Sequence, residues 1–456
     1  MSLRYIFSSP IFSINSEKFS IRKVMKRRAL LKYLTVIPVT GAVAAAIMPY
    51  QSAIAEEPAV YEPGFQGGPK RLAAIITEYR PNSHADVIIG KYLEGFNQDQ
   101  MAPYPDSKIV SMFTEQIPDN DMSRSLAKKY NVPIFRTVAD ALTLGGDALA
   151  VDGVILIGEH GEYPMNAKEQ KLYPRFEMFL KITDVFRQFK RSVPVFNDKH
   201  LSWSWRQAKR MVEISKELKF PMLAGSTIPV SVRVPAIDTP YGVKQNFAVG
   251  ISYSGLDIYG FHLLDGLQAV VERRKGGETG VRAVQCLEGQ DCWNYIDENE
   301  WVKRLFDQAL SHSETRETGD IKALVKKPAV FIVDYNDGLK AAAFLLTGLV
   351  QDFTYAIDLE GQQKPFSTLM KLQPGKPHYH FGCLVKNMET MFKTRKAPYP
   401  VERTMLSSGI LDFALESRFL GYKKLETPEL SEVRYRSSSE SHFFTKGWDQ
   451  NGKRLD

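Results

Sequence analysis

Lys199 follows Asp198 and precedes His200, just beyond the short apolar run Val193-Pro194-Val195-Phe196. An amine at the end of a buried strand can give or take a proton, or hold a negatively charged oxygen. His262 stands among Leu256, Tyr259, Leu263 and Leu267, and an imidazole there can accept a proton from a sugar hydroxyl near neutral pH. Asp257 lies five positions earlier. On one continuous helix that is about 500°, or roughly 140° off the face of His262, so Asp257 joins the pocket only if the helix begins after it. Glu159-His160-Gly161-Glu162-Tyr163 follows another apolar run, 152–157, almost directly. Polar groups gathered at a strand's end suggest either a pocket rim or a self-satisfied loop. With Asp198 and His200 they could also furnish a divalent-metal site, although no ligand spacing marks one. His84 and the pair His378 and His380 divide between local hydrogen bonding and a ligand role. Trp203 and Trp205 fit packing at a helix start better than a sugar-binding platform.

These groups can meet only if the fold brings several strand ends together. Buried strands are expected at 72–77, 108–113, 132–135, 152–157, 193–196 and 221–224. Helices are expected between them at 85–96, 121–131, 138–144, 171–190 and 204–218. Strands alternating with helices imply a parallel, doubly wound sheet, whose ligands collect at the carboxyl ends of its strands. The pattern changes near residue 228. A helix over 256–273 precedes strand-like runs at 280–287, 328–335, 339–346, 350–358 and 366–372. Asn336-Asp337-Gly338 supplies hairpin chemistry between two of them. Helices at 379–394 and 401–420 close the pattern, and a polar tail follows. The expected fold class is therefore α/β: a Rossmann-like doubly wound parallel sheet over 71–228, then an α+β domain over 229–425 with a mostly antiparallel open sheet. The tail is 426–456.

Of 59 basic and 52 acidic residues among 456, eight basic and one acidic lie in 1–55, so the rest balances at 51 each. The formal charge of +7 thus belongs to the leader and gives no sign of a nucleic-acid partner. Lys26-Arg27-Arg28 opens that leader, an apolar stretch over 34–48 follows, and Ala53-Ile54-Ala55 fits a signal-peptidase site. This pattern suggests a Tat-type signal peptide over 1–55, hence an exported, periplasmic protein with no stable membrane span after cleavage. An extended lead-in, 56–70, comes next. Cys286 and Cys292, six apart, could form a disulfide in such a compartment, and Cys383 suits a helix core. No P-loop, nucleophile elbow or RNA-binding aromatic motif occurs.

The segment 193–224, VPVFNDKHLSWSWRQAKRMVEISKELKFPMLA, resembles the Glu-Lys-Pro segment of the Gfo/Idh/MocA family, the glucose–fructose oxidoreductase and inositol dehydrogenase group. The family's lysine falls on Lys199, its acidic neighbour on Asp198 and its proline on His200. Residues 123–133 are similar to the family's helix after the second strand, and 152–157 to its fourth-strand region. The helix bearing the family's catalytic histidine is similar to 255–265, with that histidine at His262. Residues 381–420, with Ala397-Pro398 between helices, resemble its closing element. The resemblance covers most of 71–425. It implies hydride transfer between NAD or NADP and a sugar or polyol, with Lys199 and His262 at the reacting oxygen and an acid assisting. It also implies a homo-oligomer formed through the exposed sheet face.

The sequence departs from the family in two places. A Rossmann turn uses glycines for its tight bend and for close approach to a pyrophosphate. Here the turn is Thr77-Glu78-Tyr79-Arg80-Pro81-Asn82-Ser83-His84, without glycine. Pro81 lacks an N–H donor, and Glu78 would repel a phosphate, with Arg80 offsetting it. Ser83 could cap the next helix and leave its N-terminus as an anion site. The cofactor-binding residues implied are then Thr77, Arg80, Asn82 and Ser83, Glu115 for a ribose hydroxyl, and Glu159, His160 and Asp198. The second departure is the assisting acid. The family's position four residues before the histidine is Ile258, which leaves Asp257 as the candidate. A non-redox sugar-modifying enzyme and a non-catalytic carbohydrate-binding protein are the alternatives on the same fold.

Overall fold

The computed structural model describes residues 69–95, 105–373, 375 and 378–444. The leader, nearly all of the lead-in, and 445–456 lie outside the described residues. The first sheet has six strands: β1 (Arg71–Glu78), β2 (Lys108–Gln116), β3 (Ile134–Phe135), β4 (Gly153–Ile157), β5 (Val195–Asp198) and β6 (Met222–Gly225). Their order is β3-β2-β1-β4-β5-β6 and every pairing is parallel. β4 is buried along its whole length and β1 everywhere but Arg71, as strands covered on both faces must be. The crossovers are α1 (His84–Glu94), α2 (Ser123–Tyr130), α3 (Val138–Thr143), α4 (Arg175–Gln188) and α5 (Trp205–Glu217). Helix α4 starts four residues later than the sequence pattern suggests. Pro174 stands at its N-cap and holds the preceding residue out of the helical region.

Alternation along β1 divides the core. Leu72, Ala74 and Ile76 face one side with Ile88, Ile155 and Met388, whereas Ala73 and Ile75 face the other with Val154, Phe179 and Met211. The second core runs on without a break into the next sheet. That sheet has eight strands, β7 (Arg233–Val234), β8 (Gln245–Ser252), β9 (Val281–Glu288), β10 (Ala329–Tyr335), β11 (Lys340–Leu345), β12 (Phe353–Leu359), β13 (Phe366–Met370) and β14 (Leu425–Glu426). The order is β14-β9-β10-β11-β8-β12-β13-β7, antiparallel except for the β11–β8 pair. The β10–β11 hairpin turns at Asn336-Asp337-Gly338, with Gly338 at φ +92°.

Helices α6 (Ile258–Val271) and α11 (Glu402–Phe419) pack on one face of this sheet. On the other lie α7 (Gly289–Glu298) and α8 (Glu300–Leu310). Their Trp293, Val302, Leu305 and Phe306 sit on Val249, Val330, Ile332 and Phe344. The face expected to be open is therefore covered by this chain's own helices. Short α9 (Ile321–Leu324) follows, and α10 (Tyr379–Thr394) returns to pack with α1 on the parallel sheet. The tail is not wholly irregular: β14 and the short α12 (Pro428–Ser431) lie in it. Cys286, Cys292 and Cys383 are buried thiols, and no disulfide joins Cys286 to Cys292. Burial pushes the Cys286 thiol up to about 12 and Cys292 higher still. Among the described residues no helix is long and apolar enough to cross a membrane.

Candidate active site

Four parallel strands end together at the order reversal between β1 and β4, and the residues after them form the site. Lys199 follows β5 directly. It is 3% exposed, with a left-handed backbone at φ +60°. Its ammonium donates to Glu159 Oε1 at 2.8 Å, not to the neighbouring Asp198. Glu159, just past β4, also receives the Arg175 guanidinium from the first turn of α4. Burial alone would raise the Glu159 carboxyl, but Lys199 and Arg175, helped by His84 and His160, hold it well below the ordinary carboxylate range. Arg175 is fully buried and lies 3.3 Å from the His200 ring. Burial, with the Arg175 charge added, pushes His200 well below its ordinary value. The proton-handling amine is thus fixed as part of a buried cation–anion–cation row.

The backbone then carries Lys199 toward His262. The Lys199 N–H donates to the Gly225 carbonyl at 3.2 Å. The next residue, Ser226, has its hydroxyl oxygen 2.6 Å from His262 Nδ1. Gly225 is irreplaceable here: its φ is +124°, and a Cβ would stand 2.8 Å from Asp265 Oδ2 and Thr404 Oγ1. Asp265, one turn beyond His262 on α6, accepts the Ser226 N–H at 2.8 Å. Burial pushes His262 well below its ordinary value, and the charge of Lys199 adds to the effect. The two residues singled out from sequence, 63 positions apart, therefore stand at one strand end. Tyr259 and Phe353 stack in parallel at 6.2 Å and present their rings beside the imidazole.

Asp257 sits immediately before α6, as its N-cap residue, without capping it. One carboxylate oxygen accepts the Lys171 N–H at 3.1 Å, and the other, Oδ1, is buried without a partner. Burial raises this carboxyl, against the pull of Arg175 and Lys199. Asp198 receives His84 Nδ1 at 2.7 Å. His160 accepts from Arg80 at its Nδ1 (3.3 Å), while its Nε2 is buried without a partner. Burial, opposed by Glu159 and reinforced by His84, Lys199 and Arg80, holds His160 down at about 4. Thr77 donates to the Glu159 carbonyl at 2.7 Å. The rings of His84 and Phe381 meet edge to face at 5.0 Å, and His380 packs on Phe381. Burial holds His380 down at about 3. Trp205 packs against Gly409 in the core.

The residues after β1 do not fit a pyrophosphate laid across the α1 N-terminus. Ser83 caps the helix as expected, but its hydroxyl already accepts the N–H groups of Asp86 and Arg80. Asp86 accepts the Asn82 N–H at 2.9 Å. Arg80 is drawn onto the buried Glu78 at 2.5 Å. The amides that would cradle a diphosphate are engaged, and two carboxylates flank the place its charge would occupy. The end of β2 is more hospitable: Glu115 is exposed there and receives the Tyr163 hydroxyl, at a position suited to a ribose diol. The metal alternative fares worse. Glu159 is occupied by two cations, Asp198 by His84 and His200 lies against Arg175. Among the described residues no group of His, Cys, Asp and Glu is arranged to hold a metal ion.

Sequence reasoning missed Arg175, Ser226 and Asp265. Ser226 had a signal, since it follows the last parallel strand as Lys199 follows the one before. Arg175 and Asp265 had none, because their partners lie far away in sequence.

No family model matches the chain, and no curated protein does. Among solved structures it is similar to GenD2 of gentamicin A biosynthesis, crystallised with NAD. That likeness has 11% identity and a TM-score of 0.49, over 81% of this chain and 99% of that one. It is also similar to myo-inositol 2-dehydrogenase from Lactobacillus plantarum, at 11% identity and TM-score 0.48, over 78% and 99% of the two chains. A third is an oxidoreductase from Agrobacterium radiobacter in complex with NAD+, L-tartaric acid and magnesium. There the identity is 10% and the TM-score 0.46, over 78% and 98%. At this distance none of them says what this chain binds.

Proposed function

We propose that the chain is an enzyme that moves protons on a hydroxylated, sugar- or polyol-sized molecule bearing a carbonyl or carboxylate. The observation that carries this is the convergence of Lys199 and His262 through Gly225 and Ser226. Glu159 takes one of the three ammonium hydrogens, leaving the others for a substrate oxygen. An ammonium and an imidazole at one oxygen stabilise the negative charge that develops there when a proton leaves the neighbouring carbon. Asp257, whose carboxyl burial raises, is the base on this reading. Half-buried Tyr259, backed by the buried Phe353, offers the apolar face that a sugar ring requires. Reactions of this type are epimerisation and elimination, in which no electrons leave the substrate. The leader at 1–55 adds an exported, periplasmic setting.

Hydride transfer to NAD or NADP is the second reading, favoured by Glu115 and Tyr163 at the end of β2. One experiment separates the two. Purified protein is incubated in D2O with a panel of uronates, aldonates and ketoses, and any nicotinamide is released with acid and identified by mass. Deuterium entering at carbon, lost in Lys199→Met, with no nicotinamide released, supports the proton-transfer reading. Absence of exchange together with released nicotinamide overturns it in favour of the second.

A further inference from the structure

The Ser226 hydroxyl oxygen receives the Ile228 N–H at 3.0 Å and stands 2.6 Å from His262 Nδ1. Ser226 is 1% exposed. A hydroxyl has one hydrogen to give and two lone pairs to receive with. Were His262 to donate from Nδ1, both lone pairs would be filled, and the hydroxyl hydrogen would lack an acceptor among the described residues. A buried donor left unmade costs about 1–3 kcal/mol. If the hydroxyl instead donates to Nδ1, the hydroxyl, Nδ1 and the Ile228 N–H are all satisfied. We infer that Ser226 is a positioning residue that locks neutral His262 with its hydrogen on Nε2. The hydroxyl's direction is set in turn by the Ile228 amide, and Ser226 is itself held by its N–H on Asp265.

This reverses the expected role of the histidine. A neutral imidazole with Nδ1 occupied and Nε2 carrying the proton is a hydrogen-bond donor to substrate, not a base. Protonation at Nδ1 is opposed twice, by the donated hydroxyl hydrogen and by the nearby Lys199 charge. Both groups at the strand end are then donors, so the oxygen they share must be an acceptor: a carbonyl, a carboxylate or an enolate. An alcohol placed there would leave its own hydrogen to find another partner. The bearing on catalysis rests on the proton-transfer reading above, but the tautomer does not, and its test uses no substrate.

The test is 15N NMR of protein labelled in its eight histidines, with the His262 signals assigned by their loss in His262→Gln. The expected result at neutral pH is an unprotonated Nδ1 and a protonated Nε2. In Ser226→Ala the two nitrogens should move toward the averaged shifts of an exchanging imidazole, and in Ser226→Thr, which keeps the hydroxyl, back toward those of the parent. Nδ1 protonated in the unsubstituted protein, or a tautomer unmoved by Ser226→Ala, overturns the inference whatever reaction the enzyme performs.

Discussion

Replacing Asp265 by Asn should make the protein more stable, and increasingly so as the pH rises. Asp265 is 1% exposed on α6. Burial pushes its carboxyl up from 3.8 to about 6, even though Arg403 and the bonds from Ser226 and Ser407 pull the other way. A rise of that size corresponds to about 3 kcal/mol. The folded value lies above the unfolded one, so the folded chain holds its proton more tightly. That contribution is fully present below pH 3.8 and is lost as the pH climbs through about 6. Above pH 6 the folded protein carries a buried carboxylate at nearly the full cost. Asn fits the same place. Its oxygen can accept the Ser226 N–H, and its amide can donate to the Ser407 hydroxyl, which already donates to the Arg403 carbonyl. Linkage puts about half of the effect between pH 5 and pH 8, so the variant's advantage should grow by roughly 1.5 kcal/mol over that range. Urea unfolding of both proteins at several pH values measures the difference directly, since groups common to both cancel. A difference that stays flat with pH, or that runs the other way, would refute the account of Asp265 as a carboxyl whose ionisation burial opposes.

Glu159→Gln should be severe. It leaves the Lys199 and Arg175 cations buried beside each other without their anion, at a cost of about 3–5 kcal/mol at pH 7. The folded Glu159 value is depressed, so the loss should shrink as the pH falls below 4.5 toward that value; a loss under about 1 kcal/mol at pH 7, on the scale of an exposed pair, contradicts the buried row. Gly266→Ala places a Cβ 2.0 Å from the Tyr355 hydroxyl, which donates to the Leu263 carbonyl. Overpacking of about 1–3 kcal/mol should outweigh the helix preference of about 1 kcal/mol that alanine gains, so thermal melting should show a lower Tm; an unchanged or higher Tm would mean that α6 does not rest on β12 as closely as the structure has it.

The parallel half of the fold was legible because its strands are continuous apolar runs separated by helical periods, a pattern set locally. The second sheet was legible only in part. The β10–β11 hairpin carries its turn chemistry in three residues, whereas β8, at the centre, has Gly250 interrupting its apolar run. The helices α7 and α8 went unread although Trp293, Ile296, Leu305 and Phe306 recur at helical spacing, and they change the outcome most, since they cover the face expected to be free. In the site, Lys199, Glu159 and His160 were readable as polar groups just past apolar runs, and His262 as an imidazole among the apolar residues of a helix. Their partners were not: Lys199 is paired across 40 positions with Glu159, and Asp265 acts on Ser226 across 39. Tertiary contacts of that range leave no period in the sequence.

The histidines show why residue type alone misdirects the chemistry. His160, His200, His262 and His380 gather near the ends of β4, β5 and β6, and a sequence rich in histidine there suggests bases or metal ligands. The structure buries them, with Lys199, Arg175 and Arg80 close to three of them. Burial lowers all four, and the cations lower three of them further. At neutral pH such rings are uncharged, and each can donate only from the nitrogen that its neighbour leaves protonated. Arg80 donates to His160 Nδ1, and the Ser226 hydroxyl stands at His262 Nδ1. In both, a donor at Nδ1 directs the hydrogen to Nε2. The same cations that deprive the histidines of basic character make the pocket attractive to anionic oxygen. A site of this kind is selective for what a substrate oxygen can accept, and among the described residues the one carboxyl near it held up by burial with an unpaired oxygen is Asp257. On the proposed proton-transfer reading, that carboxylate is the group that takes the proton.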